Sequence, residues 1–205
     1  MDDLPTMPDL KAELRKRFLQ ERRSLPDSRR AVLDRQVCAH LLHFFQSQDG
    51  SAVAAFRGFR GEPDLRPLLG VLHEAGRRVY LPVVEGEAMR FRRWTPESVL
   101  TRNRFGINEP LAGQACPAEE LDWVLVPLVA FSPAGSRLGM GGGYYDRAFA
   151  FRLRQPLSAS PKLVGVAYSL QQVDSLPVHS WDVPLDAVVT DQGLCSFRGR
   201  MQGFA

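Results

Sequence analysis

Leu121-Asp-Trp-Val-Leu-Val-Pro-Leu-Val-Ala-Phe131, followed shortly by Arg137-Leu-Gly-Met-Gly-Gly-Gly-Tyr-Tyr-Asp-Arg147, is the stretch on which the fold turns. Its first half is apolar at nearly every position and does not alternate with polar residues. That pattern belongs to a strand buried on both faces, as in parallel sheets covered by helices. The second half places Gly139, Gly141, Gly142 and Gly143 between this strand and a segment, Tyr144 to Arg154, that reads as a helix. Strand, glycine turn and helix form an α/β unit, and ligands in such folds collect where strands end and helices begin.

The flanks agree. Asp9 reads as the N-cap of a helix carrying Leu10, Leu14 and Phe18 on one face, with Lys11 and Arg15 one turn apart. A second helix is expected from about Ser28 to Gly50, with Val32, Val37, Leu41 and Phe45 inward. Ser51 to Arg57 reads as a strand, Pro63 to Gly76 as a helix stopped by glycine, and Arg78 to Val84 and Met89 to Trp94 as strands. The segment up to Pro117 reads as loop. Beyond the glycines, a polar linker around Pro156 to Pro161 leads to strands at Leu163 to Tyr168 and Asp186 to Thr190. No repeat or domain boundary interrupts the series. The expectation is one three-layer α/β domain over residues 1–205 with a mainly parallel sheet.

Composition narrows the function. The 205 residues are 44% hydrophobic and 24% charged, ordinary for a globular chain with a sizeable core. The start, Met1-Asp-Asp-Leu-Pro, is acidic, and no apolar run approaches the roughly 20 residues of a membrane span. Cys38, Cys116 and Cys195 are widely separated, which suits reduced thiols in a cytoplasmic protein better than a disulfide framework. His40, His43, His73 and His179 have no ligand spacing for zinc. A net charge of +3 is too mild to indicate a nucleic-acid partner, while the preference for arginine over lysine suits phosphate or carboxylate ligands.

The glycines let backbone amides approach a ligand closely, and a following helix would add its positive end, so the loop favours phosphate. Its spacing is neither that of the P-loop, which needs a lysine and a hydroxyl residue after the last glycine, nor G-x-G-x-x-G, whose final position here is Tyr144. Arg137 offers a fixed charge, and Asp146 a carboxylate able to hold magnesium. The plain alternative is a flexible loop whose Asp146 caps the next helix and pairs with Arg147.

The string from Pro127 to Arg147 closely resembles the motif of the 5-formyltetrahydrofolate cyclo-ligase family, also called methenyltetrahydrofolate synthetase. Lys11-Ala-Glu-Leu-Arg15 is similar to that family's opening helix, Phe105-Gly-Ile-Asn-Glu-Pro110 to the segment before its buried strand, and Trp181-Asp-Val-Pro-Leu-Asp186 to its bacterial closing segment. The resemblance implies the compact α/β architecture related to sugar-phosphate isomerases and CoA transferases. It implies a cytoplasmic, monomeric ligase of one-carbon metabolism that uses ATP and Mg2+ to convert 5-formyltetrahydrofolate to 5,10-methenyltetrahydrofolate.

Carried over residue by residue, Lys11 and Arg15 would contact ATP phosphates, and Arg137, Leu138, Gly139, Met140, Gly141, Gly142, Gly143, Tyr144 and Tyr145 would wrap the nucleotide. Arg137 and Tyr145 would serve catalysis, and Asp146 and Asp182 would be magnesium ligands. Glu62 would accept hydrogen bonds from the pterin. Arg57, Phe105 and the span Met140 to Tyr144 would complete the folate site, with Phe105 and Tyr144 as stacking surfaces. Each position also has an ordinary reading: Lys11 and Arg15 as solvated helix residues, Asp182 as a turn former before Pro184, Glu62 as a helix N-terminal acid beside Pro63. Trp94 and Trp123 are expected in the core. Two positions depart from the family pattern: Gly142, where some members carry lysine, and Ser132, where aspartate is usual. Three other functional classes remain open: a phosphosugar isomerase or CoA transferase, a non-catalytic ATP or folate binder, and an RNA-binding protein using the arginine-rich first helix.

Overall fold

The computed structural model describes residues 6–155 and 159–197, so Pro156 to Ser158 of the expected linker and the chain before Thr6 lie outside the described residues. Two helices open it. α1, Met7–Arg23, is capped by Thr6, whose hydroxyl accepts from the Asp9 amide while the Asp9 carboxylate accepts from the Thr6 amide. Asp9 is therefore the third residue of the helix rather than its cap, because Thr6 and Pro8 set the first turn three positions earlier than expected. α2, Asp27–Gln46, buries Leu33, Val37, Leu41, Phe44 and Phe45. Its inward face thus starts at Leu33 rather than Val32, in step with the spacing of the residues that follow.

β1, Ala52–Ala54, is followed by α3, Arg66–Glu74, and β2, Arg78–Glu85. The chain then folds back as β3, Ala88–Arg93. Where sequence suggested loop, β4 (Leu100–Arg102) and β5 (Asn108–Pro110) form a hairpin, and β6, Ala115–Cys116, pairs with β3. These strands are short and carry few β-branched residues, so their pattern was too weak to read.

β7, Trp123–Pro127, ends earlier than the apolar run. The remainder forms β8, Ala130–Phe131, which pairs antiparallel with β9, Arg137–Leu138. α4, Tyr144–Ala148, is a single short helix with a 3-10 turn after it, where one helix to Arg154 was expected. Its dipole is correspondingly small. β10 (Lys162–Val166), β11 (Ala187–Thr190) and β12 (Gly193–Ser196) complete the fold.

The main sheet runs β12-β11-β10-β7-β1-β2-β3-β6. Its five central strands, from β11 to β2, are parallel, and both edges are closed by antiparallel strands. Pleating divides the buried strands between two cores. Trp123 and Leu125 pack with Val53, Val79 and Val164 beneath α2 and α3, while Val124 and Val126 pack with Ala54, Tyr80 and Leu163 beneath Phe149 beside α4. Three layers result, as expected for an α/β fold. Trp94 and Trp123 are core residues, each 8% exposed. Each fully buried Val or Leu contributes roughly 1.5–3 kcal/mol relative to exposure. Gly165 of β10 is required by this packing, since a Cβ there would lie 2.7 Å from Leu185 and 2.8 Å from Leu128. No described helix is long and apolar enough to cross a membrane.

Candidate active site

The β8–β9 hairpin sits between the central strand and the glycines, and it swings the loop across the carboxyl ends of β1, β2 and β7. Phe56, Val84 and Leu128 at those ends line one wall of a cleft of about 550 Å³, and the glycine loop lines another. α1 is held against the hairpin by Phe18, which packs with Val129, Ala130 and Leu138. That docking turns Lys11 and Arg15 into the cleft. Every residue singled out from sequence lines it: Lys11, Arg15, Arg57, Glu62, Phe105, the whole span from Arg137 to Tyr145, Asp146 and Asp182.

Their contacts bear on the ordinary reading of each. Lys11 is buried, and its Nζ donates to Asp182 Oδ2 at 2.8 Å. Arg15 Nε donates to the Gly139 carbonyl at 2.8 Å. Neither is a solvated helix residue. Asp182 does form a turn, accepting from the His179 amide at 2.9 Å, but it also holds Lys11. Burial alone would raise its carboxyl, yet the hydrogen bonds from Lys11 and the His179 amide outweigh this and hold it below the usual carboxylate range. Asp146 pairs with Arg137 at 2.6 Å rather than with Arg147, and its Oδ1 also accepts from the Val183 amide. Arg137 in turn donates to the Val183 carbonyl. Arg147 is drawn instead to the carbonyls of Gly142 and Glu87. Opposite charges from both ends of the chain thus meet at the glycine loop.

Gly141 and Gly143 have φ of +96° and +65°, the left-handed region that favours glycine. A Cβ on Gly143 would lie 2.8 Å from Arg147 Nη1. The two aromatics proposed as stacking surfaces do meet: the rings of Phe105 and Tyr144 are 5.9 Å apart, edge to face. Arg104 ties them to β2–β3 by donating to the Tyr144 hydroxyl and the Gly86 carbonyl.

Glu62 also lines the cleft, near Tyr145. α3 begins only at Arg66, so Glu62 is not a first-turn helix acid. Burial pushes its carboxyl up to about 7, against the pull of Arg22, whose Nη2 lies 4.0 Å away, and of the Phe59 amide, which donates to it. Arg22 is itself 1% exposed and is lowered by that burial; it donates to the carbonyls of Arg60 and Leu128. Tyr145 stacks on Phe149, and burial together with the nearby Glu62 raises its phenol well above the usual range, keeping it protonated.

Sequence reasoning missed several contributors. Glu109 is buried at the cleft and accepts from the Val84 amide and from Asn103, locking the β4–β5 hairpin onto β2. It lies within a quoted motif, but the fold of that segment was not legible. His179 and Trp181 also line the cleft, their rings stacked 4.4 Å apart. Arg22 carries no local signal, since an arginine on a helix is ordinarily solvated. Among the described residues no three acids, histidines or cysteines form a metal-binding cluster.

A family model described as the 5-formyltetrahydrofolate cyclo-ligase family matches residues 8–191. The 5-formyltetrahydrofolate cyclo-ligase of Escherichia coli (strain K12) is 39% identical over 176 residues, covering 83% of this chain and 94% of that protein. The one from Mycolicibacterium smegmatis is 31% identical over 201 residues, covering 93% and 99%. Among solved structures, 5,10-methenyltetrahydrofolate synthetase of Aquifex aeolicus superposes with a TM-score of 0.78 at 36% identity, covering 96% of this chain and 95% of that one. With a matching model over nearly its whole length, full-length relatives and a shared fold, this chain belongs to the 5-formyltetrahydrofolate cyclo-ligase family.

Proposed function

We propose that the chain is an ATP- and Mg2+-dependent ligase that converts 5-formyltetrahydrofolate to 5,10-methenyltetrahydrofolate and releases ADP and phosphate. The observation that carries this reading is the convergence on one glycine loop of Lys11, Arg15 and Arg137 with Asp146 and Asp182, in a cleft shared with the buried carboxyl of Glu62. A cationic loop suits phosphates, and a carboxyl that can accept two hydrogen bonds suits the amino and ring NH groups of a pterin.

A formamide oxygen is a poor leaving group. Transfer of the γ-phosphoryl group to that oxygen breaks the bond to the β-phosphate, releases ADP and makes an imidate phosphate. Folate N10 then attacks the activated carbon, phosphate departs with the oxygen, and N10 loses its proton as the ring closes. No side-chain nucleophile is needed. The work of the protein is orientation, charge neutralisation and exclusion of water. Lys11, Arg15 and Arg137 would hold the phosphates, Glu62 and Arg57 the folate, and Phe105 and Tyr144 would stack against its rings. Arg137 would meet the charge that develops on the transferred group, and Tyr145, protonated and beside Glu62, would donate a hydrogen bond at the reacting end.

The donor set fits magnesium, which is commonly held by one or two carboxylates with phosphate and water completing its shell. Asp146 and Asp182 both line the cleft, each held by a cation that phosphates could attract in turn. When bound, the ion neutralises and orients phosphate oxygens. The cleft residues run from α1 to Asp182 around one continuous main sheet, which supports a single domain over 1–205, and the unpaired Cys38, Cys116 and Cys195 support a reducing, cytoplasmic location.

Incubation with ATP, magnesium and 5-formyltetrahydrofolate is expected to give the near-ultraviolet absorbance of the methenyl product with one ADP per turnover. No change in absorbance under excess folate and fresh nucleotide would overturn the reading.

A further inference from the structure

Trp181 is 61% exposed, an unusual position for the largest apolar side chain, and it lines the cleft. Its place is fixed by a turn in which the Asp182 amide donates to the His179 carbonyl at 3.1 Å and the Asp182 carboxylate accepts from the His179 amide. The turn lays the His179 imidazole against one face of the indole, 4.4 Å between ring centroids and 13° from parallel. No second ring is stacked on the indole among the described residues, and most of Trp181 remains exposed. Asp182, the next residue, holds Lys11. An exposed indole therefore adjoins one of the phosphate-binding groups.

The second aromatic pair of the cleft is arranged differently. Tyr144 has the Arg147 guanidinium over its ring at 4.9 Å, Phe105 has that of Arg104 at 4.9 Å, and the two rings meet edge to face. An arginine covers one face of each of these rings, and the rings and Glu62 are assigned to the folate in the proposed function. A flat aromatic ligand held by phosphates at Lys11 finds its exposed stacking surface at Trp181. Bases stack well on indole because both offer broad polarisable faces, and the interaction tolerates base identity.

We propose that the His179–Trp181 stack is the nucleobase platform of this cleft, receiving the purine of a nucleoside triphosphate whose phosphates reach Lys11 and the glycine loop. The assignment rests on the reading that ATP binds here. His179 is the positioning residue, since it buttresses the indole, and Trp181 makes the contact.

Equilibrium titration with Mg-ATP and with Mg-tripolyphosphate, which lacks the base, separates platform from phosphate grip. Trp181→Ala should weaken Mg-ATP binding about tenfold, the order expected for loss of one base stack, and leave tripolyphosphate binding within about twofold of its original value, because phosphates alone do not reach the indole. Trp181→Phe should retain most of the ATP affinity, and ATP should quench the tryptophan fluorescence of the unmodified chain but not of this variant. Equal ATP affinity in Trp181→Ala, or equal weakening of both ligands, would overturn the platform. Tight ATP binding without product formation would sink the phosphoryl-donor reading and leave the platform decided by the titrations. A chain that does not bind ATP at all would end both.

Discussion

Glu62 couples folding, recognition and pH through one proton. Its carboxyl titrates near 7 in the folded chain against an ordinary 4.5, chiefly because it is buried. A raised value means that the folded state holds the proton more tightly than the unfolded one. Its contribution to stability is therefore complete below about pH 4.5 and is lost as pH rises through about 7. Glu62→Gln should flatten the pH dependence of stability across that window by on the order of 3 kcal/mol, read by denaturant melts from pH 4 to 8. In the proposed role the ionised form would accept hydrogen bonds from the pterin, so kcat/KM for the folate should rise through about pH 7, and the glutamine variant should lose that limb. Asp146 answers to a different test. Asp146→Asn keeps an oxygen that can accept from Val183 but removes the charge facing Arg137. A fall in kcat of about 100-fold or more, with a raised magnesium requirement, is expected for a direct ligand. A normal magnesium titration would remove Asp146 from that role.

At the scale of elements, two short structures do what the long helices do not. The β4–β5 hairpin carries Phe105 and is clamped to β2 by one buried carboxylate, that of Glu109. Glu109→Ala leaves the Val84 amide without its acceptor, a loss of about 1–3 kcal/mol, and should lower Tm by several degrees while raising KM for the folate more than KM for ATP. The glycine loop is the second such element. Gly143→Ala forces a side chain into the left-handed region at φ +65° and against Arg147. Strain of about 1–2 kcal/mol is expected, with the damage falling on nucleotide affinity; unchanged KM for ATP would show that this backbone geometry is not needed for the phosphates.

Over the whole molecule, the cleft is where the two ends of the chain are tied together. Lys11 of α1 reaches Asp182 near the carboxyl end, and Arg15 reaches the loop between them. Ligand bound there stabilises the tertiary arrangement that creates the site. Mg-ATP at 100 times its Kd should add about 2.7 kcal/mol, raising Tm by roughly 5–10 °C, and Lys11→Ala should remove most of that shift at the same nucleotide concentration. The α/β class, the buried central strand and the glycine loop were legible in sequence because each is a local pattern: an unalternating apolar run, glycines at a strand end, cations one helical turn apart. The family motif likewise pointed to Lys11, Arg15, Glu62, the span from Arg137 to Asp146 and Asp182, all of which line the cleft. What local pattern could not supply was the partner of each group. Trp181 and Asp182 mean little until Lys11 arrives from the far end of the chain, and Arg22 becomes a partner for Glu62 only when α1 packs over the sheet. Sequence by itself therefore determined the α/β class and nominated the residues proposed for phosphate and folate; the tertiary structure decided which charges neutralise one another and which aromatic rings stay exposed. Those outcomes depend on burial and on distances of 3–5 Å between residues remote along the chain, and only packing fixes both.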